Sequence, residues 1–273
     1  MSAGGTMMRI LLVVICTVFY AVSAFGFGKG VEGCTGDCTA CHKVTKGEVQ
    51  EIFKNIDPTV TVEDVAPSPA RSLYQVTLKK GASVQVIYLD FSKNYLIAGQ
   101  LVDIRSKSDL TRQSVEAATT VDVTGLPLKN ALVMGNAKGK KELYLFSDPE
   151  CPYCANLHKT IAELVKEEPE LKVYIFLIPL DIHPNSVWKT DAIMCKAKEN
   201  RAAALRMLEN SYQGKDVPRQ SCGVSLAAEN KKLGTKLGVS VTPTIAFKSG
   251  KVFMGARSKE DIRNMLNGTP AGK

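Results

Sequence analysis

Two stretches of the chain hold sulfur at spacings that do chemistry. In DPECPYCANLH, residues 148–158, Cys151 and Cys154 stand two residues apart. In GCTGDCTACHKV, residues 33–44, Cys34, Cys38, Cys41 and His42 fall within nine positions. A C-x-x-C pair can cycle between dithiol and disulfide, and C-x-x-C-H is also the spacing of covalent c-type haem attachment. Cys38, Cys41 and His42 therefore read as two thioether positions and an axial ligand, as a second thiol–disulfide couple, or as a metal site. All three readings stay open at this point, and a haem-bearing electron carrier is one alternative function.

The first pair gains meaning from its surroundings. Glu142–Phe146 reads as a strand, and the motif feeds a helix that buries Leu157, Ile161, Leu164 and Val165 and stops at Pro169. Cys151 then falls at a helix N-terminus, where unpaired backbone N–H groups and the positive end of the macrodipole favour a thiolate. Such cysteines ionise at pKa values of about 3.5–7.5, against about 8.5 for a free thiol. The expectation is an exposed, nucleophilic Cys151 and a shielded Cys154, with Pro152 tolerated in the first helical turn. Cys151 would attack a disulfide to form a mixed disulfide. Cys154 would resolve it, or another client thiol would attack and complete an isomerisation. A static disulfide across the motif, or zinc held jointly with Cys38 and Cys41, would use the same residues without catalysis. Asp148 reads equally as a proton acceptor for Cys154 or as a helix cap. His158 reads as an exposed surface residue.

The elements that must position this pair follow a recognisable order. Val173–Ile178 is a continuous apolar run, as in a central parallel strand. Residues 184–235 are helical in composition and contain Cys195 and Cys222. A bridge between these two would close a loop of about 27 residues and stabilise by about 3.5 kcal/mol. Val241-Thr242-Pro243-Thr244 precedes two strands, Thr244–Phe247 and Lys251–Met254, joined at Ser249-Gly250. Ser258 caps a last helix with Ile262, Met265 and Leu266 inward. Strand, C-x-x-C, helix, strand, then hairpin and helix is the order of a thioredoxin fold.

Ahead of that lies a smaller α+β unit, residues 43–106. Thr45 and Glu48 form a capping box for a helix whose apolar face is Val49, Ile52, Phe53 and Ile56. Three strand-like runs follow, Leu73–Leu78, Val84–Asp90 and Tyr95–Ile104. A unit of about 60 residues is marginal alone, so an open sheet edge invites a second copy. Residues 107–122 are polar and helix-compatible, which suits a linker, and residues 123–268 complete the catalytic domain.

Residues 1–24 read as a cleaved export signal: Arg9, an apolar run from Ile10 to Ala21, then Val22-Ser23-Ala24. Export from the cytosol allows disulfides to persist. Without Cys16 of that signal, seven of the eight cysteines remain, an odd number. The formal charge of +8 comes from scattered lysines without interleaved aromatics, which gives nucleic-acid binding little support.

Taken together, SDPECPYC, VTPT, the Cys195 and Cys222 segments, and the YLIAGQLVDI run before a linker resemble the DsbC/DsbG-type periplasmic thiol:disulfide isomerases over residues 43–268. The resemblance implies a cystatin-like N-terminal dimerisation domain, a linker helix, and a thioredoxin fold with a helical insertion. It implies a cis Pro243 facing Cys151, with the Thr242 backbone contacting an unfolded client. It also implies a V-shaped homodimer with an apolar cleft, a DsbD-type membrane electron donor, chaperone activity, and thiol exchange that requires no cofactor. Misfolded secreted proteins would be the clients. Two departures stand out. Pro152-Tyr153 is closer to DsbG-like sites, which leaves reduction of single oxidised thiols as an alternative activity, and the Cys34–His42 segment is absent from the usual family pattern.

Overall fold

The computed structural model describes residues 41–268. The expected export signal with its expected cleavage point near Ala24, and Cys34 and Cys38 of the cysteine-rich segment, lie outside the described residues.

The N-terminal part is a helix on an antiparallel sheet. Helix α1 (Lys46–Ile56) starts at the expected capping box: the Thr45 hydroxyl accepts from the Glu48 amide, and the Glu48 carboxylate accepts from the Thr45 amide. Val49 and Phe53 are buried, whereas Ile56 is exposed, because the helix ends there at Asp57-Pro58 before its last turn reaches the sheet. The sheet has the order β1 (Thr61–Pro67), β2 (Leu73–Lys80), β3 (Ser83–Asp90), β4 (Leu96–Ile97). Strand β1 was not expected. Only Val62 among its seven residues is buried and a register shift follows it, so an edge strand of this kind shows no alternation. The third expected strand is broken. Only Leu96 and Ile97 pair with β3, and Val102–Asp103 (β5) turns back on Ser108–Asp109 (β6) in a separate ribbon. Tyr95, Leu96, Ile97, Val102 and Ile104 consequently stay exposed.

Helix α2 (Leu110–Ala118) occupies the linker and is capped by Asp109, which accepts from the Arg112 amide. Its polarity is explained by its contacts. Thr111 Oγ1 lies 2.5 Å from Tyr88 Oη in a buried hydrogen bond and also accepts from the Leu101 amide at 2.8 Å. Ser114 Oγ donates to Gln75. From the next turn the Glu116 carboxylate accepts from the Met254 amide at 2.6 Å and pairs with Arg257 in a largely buried ion pair.

The C-terminal part is built on a five-stranded sheet of order β11, β10, β8, β9, β7. The strands are β7 (Leu132–Gly135), β8 (Lys141–Ser147), β9 (Leu171–Leu177), β10 (Thr244–Phe247) and β11 (Val252–Met254). β8 and β9 run parallel and every other pairing is antiparallel. Strand β7 was also missed, being four residues long and ended by Gly135, where an added Cβ would sit 2.5 Å from the Leu171 carbonyl. Side chains of β8 alternate between two cores. Leu143 and Leu145 join Leu157, Ile161 and Leu164 of α3 (Pro152–Glu167) on one face. Tyr144 and Phe146 meet Val121, Leu126 and Phe176 on the other. Between β9 and β10 three helices are inserted, α4 (Ser186–Glu199), α5 (Arg201–Tyr212) and α6 (Leu226–Leu237). The last helix, α7 (Lys259–Leu266), is capped by Ser258 and buries Ile262. Among the described residues no helix is long and apolar enough to cross a membrane.

Candidate active site

Strand β8 delivers the chain to the reactive pair. Cys151 is the N-cap residue of α3, Pro152 is its first helical residue, and Cys154 lies one turn in. Both are free thiols. Cys154 has no exposure, as its position on the inner helix face dictates, but Cys151 is only 4 % exposed rather than open to solvent. What covers it is the loop before β10. The Thr242 carbonyl lies 3.5 Å from Cys151 Sγ, and the Thr242–Pro243 peptide is cis.

The two thiols are set apart electrostatically. The Cys154 thiol donates to Cys151 and does most to hold its pKa down, to about 6; the backbone N–H groups of Cys154 and Tyr153 assist against the cost of burial. Burial pushes the Cys154 thiol far up, and its hydrogen bond to the Cys151 thiolate pushes it further. At neutral pH the pair therefore holds one thiolate, on Cys151, and one thiol. An ionised nucleophile backed by a protonated partner is the arrangement needed for attack on a disulfide followed by resolution.

Asp148 does not cap the helix, whose N-cap residue is Cys151. Its carboxylate is fully buried and accepts from the Glu150 and Leu180 amides, each at 2.7 Å, with His183 Nδ1 3.0 Å away. It ties the turn before the motif to the segment after β9, and its own amide points at Cys154 Sγ, 3.4 Å distant. His158 is a correction to the surface reading. It is buried, packed against the Tyr212 ring at 5.2 Å, because it follows Cys154 by four residues and precedes Ile161 by three on the inner face of α3. Cys195 and Cys222 form a disulfide, with Cα atoms 5.7 Å apart. Sequence reasoning missed Ser147, Tyr212 and His183. Ser147 was within reach, since it continues the inward series Leu143, Leu145 along β8.

Of the possible haem set, Cys41 and His42 are described and exposed. Cys41 is in a disulfide. A sulfur so engaged cannot also form a thioether to a haem vinyl group, so in this form the residues do not fit haem and no step is routed through it. Among the described residues no cluster of metal-ligating side chains occurs.

Residues 39–112 match the disulfide bond isomerase protein N-terminal domain, and residues 128–269 match a thioredoxin-like domain. A probable thiol:disulfide interchange protein DsbC of Bordetella avium (strain 197N) is 30% identical over 202 residues, covering 74% of this chain and 68% of that protein. The chain belongs to the DsbC-type thiol:disulfide isomerase family. DsbC of Escherichia coli (strain K12) is 22% identical over 204 residues, 75% of this chain and 80% of that protein. The counterpart from Bordetella parapertussis is 29% identical over 181 residues, 66% of this chain and 61% of that protein. Among solved structures, a disulfide interchange protein from Neisseria gonorrhoeae is 25% identical, covers 54% of this chain and 100% of that chain, and superposes with a TM-score of 0.45. As a member of the DsbC-type family, the chain is a thiol–disulfide oxidoreductase that acts as a disulfide isomerase.

Proposed function

We propose that the chain reshuffles wrong disulfides in exported proteins through Cys151, acting in the periplasm as a homodimer. The observation that carries this reading is the division of labour at the head of α3: an ionised Cys151 beside a buried, protonated Cys154. In the first step the Cys151 thiolate attacks a client disulfide, one client sulfur leaves as a thiolate, and a mixed disulfide forms. Attack by a second client thiol on that bond returns Cys151 and completes an isomerisation. Attack by Cys154 instead releases a reduced client and leaves the oxidised enzyme, which a DsbD-type donor would reduce.

Thr242 and Pro243 are assigned to client binding, with the Thr242 backbone offering strand-like contacts beside Cys151. Exposed Tyr153 and Val241 supply apolar surface next to the pair, as an unfolded chain requires and as a chaperone activity would use. The exposed apolar run along β4 and β5 supports pairing of two copies at the sheet edge. A mispaired ribonuclease, incubated with the reduced protein, tests the reading. Recovery of ribonuclease activity should disappear with Cys151→Ser while suppression of aggregation of an unfolded client survives; continued reshuffling by Cys151→Ser would overturn it.

A further inference from the structure

Cys151 has to meet a client disulfide, yet it is 4 % exposed, and what lies over it is the segment from Gly238 to Pro243 that joins α6 to β10. The Thr242 carbonyl rests 3.5 Å from Cys151 Sγ, so the placing of this segment sets how much of the sulfur a client can reach. Both ends of the segment are met by the N-terminal part of the chain. Gly238 ends α6 in the left-handed region, at φ 72°, and faces the turn between β2 and β3. A Cβ added at Gly238 would lie 2.7 Å from the Ala82 carbonyl carbon and closer still to its oxygen, so any side chain there would push the turn and the segment apart. At the other end the Pro243 carbonyl accepts from the Gly255 amide at 2.7 Å. Met254, the residue before Gly255, gives its own amide to Glu116 of α2 at 2.6 Å, and the same carboxylate pairs with Arg257. Helix α2 is bonded in turn to β2 through Gln75 and to β3 through Tyr88. The N-terminal sheet thus reaches the segment twice, directly through Ala82 and by way of Glu116.

The first of these contacts is a point and not a packed face. Beside it lies a cavity of about 390 Å³ lined by Lys80, Ser83, Leu180, Asp181, Lys231 and Ser240. A contact of this kind opens locally without exposing a core.

We propose that Ala82, Gly238 and Glu116 are positioning residues for the client-binding segment: docking of the N-terminal part holds residues 238–243 over Cys151, and release of either hold lifts the segment and opens the sulfur to a client. The proposal rests on the thiol-exchange reading above. The segment then has two placements. In the one described here the Thr242 carbonyl shields Cys151. In the other Cys151 is uncovered while Cys154, on the inner face of α3, stays buried. The reactivity of Cys151 follows the population of the second placement.

Iodoacetamide alkylation of the reduced full-length protein, at a pH where Cys151 is fully ionised, reads that population without interference from a shifted pKa. Intact mass and peptide mapping locate the adduct. Glu116→Ala removes the acceptor of the Met254 amide and should raise the Cys151 rate roughly tenfold, the change expected when a closed placement loses one hydrogen bond to a charged group. Gly238→Ala drives a Cβ against the Ala82 carbonyl and should also raise the rate, which decides the matter if Glu116→Ala does not fold. Glu116→Gln keeps an oxygen for the Met254 amide and should react more slowly than Glu116→Ala. Gly268→Ala imposes the same left-handed strain behind another helix, at φ 78° with no atom within 4 Å of the added Cβ, and should react as the wild type does. A wild-type rate in Glu116→Ala or in Gly238→Ala overturns the proposal. So does an equal gain in Gly268→Ala, a Glu116→Gln protein as fast as Glu116→Ala, or a gain shared by Cys154, which marks general loosening. Equal reactivity of Cys151 and Cys154 in the wild-type protein would sink the thiol-exchange reading itself.

Discussion

Replacing Cys154 with alanine removes the group that does most to keep Cys151 ionised. With a pKa of about 6, roughly nine-tenths of Cys151 is thiolate at pH 7. A hydrogen bond to a charged acceptor contributes about 1.5–3 kcal/mol, and each pKa unit corresponds to about 1.4 kcal/mol, so losing the donor raises the pKa by about one to two units. The thiolate share at pH 7 should then fall to between about a half and a tenth. The assay is the pH dependence of iodoacetamide alkylation, followed by intact mass, in the wild-type and Cys154→Ala proteins. A companion reading follows from linkage. Cys151 ionises in the folded reduced protein at about 6 and in the unfolded chain near 9.0, so between those values the unfolded state binds more protons. The stability this contributes is present in full above the unfolded value, grows as pH rises through that window and is lost as pH falls through about 6. In Cys154→Ala the low-pH end of the window should move up with the alkylation midpoint. A midpoint that stays near 6 would refute the reasoning and assign the depression to the helix N-terminus and its N–H groups.

Other consequences are open to measurement. Cys195→Ala combined with Cys222→Ala should lower the unfolding free energy in urea by about 3.5 kcal/mol, since the bridge closes a loop of 27 residues, while the Cys151 alkylation rate stays put. Charging the exposed edge with Ile97→Lys and Ile104→Lys should convert a dimer to a monomer by light scattering; an unchanged mass would move the interface away from this edge. Protein exported from a host competent for cytochrome c maturation should be colourless, at the peptide mass less two hydrogens per disulfide; a Soret band with one haem of added mass would restore the thioether reading of Cys38 and Cys41.

The parts of the fold that can be read from the chain are those where local chemistry and burial agree. Thr45 and Glu48 mark the start of α1 to the residue, and Ser258 does the same for α7, because a cap is settled within four residues. β10 is a short buried run bounded by a proline and a turn, and it too coincides with the expectation. β1 was lost because an edge strand with one buried side chain shows no alternation, and β7 because its pairing is long-range. β1 takes its partner from β2 while burying one side chain, and β7 is held by β9, some 40 residues on. The reactive pair is legible because its spacing is local. The residues behind it are less so. His158 was within reach of a helical wheel, but Tyr212 reaches Ser147 across 65 residues of sequence, through an insertion whose helix packing no local pattern announces.

The seat of α2 has a consequence for distance. Apolar faces slide over one another at small cost, but the hydrogen bonds that α2 shares with Tyr88, Gln75, Met254 and Arg257 are directional and fail when displaced by a fraction of an ångström. Nine residues of helix thus act as a gauge block between the open strand edge and the reactive sulfur. In a pair of copies joined at that edge, the gap between the two Cys151 atoms is set by two such blocks and not by the molecule lying between them. Adding one helical turn to α2 would lengthen each block by about 5.4 Å and pull Glu116 off Arg257, so reach and grip cannot be changed separately.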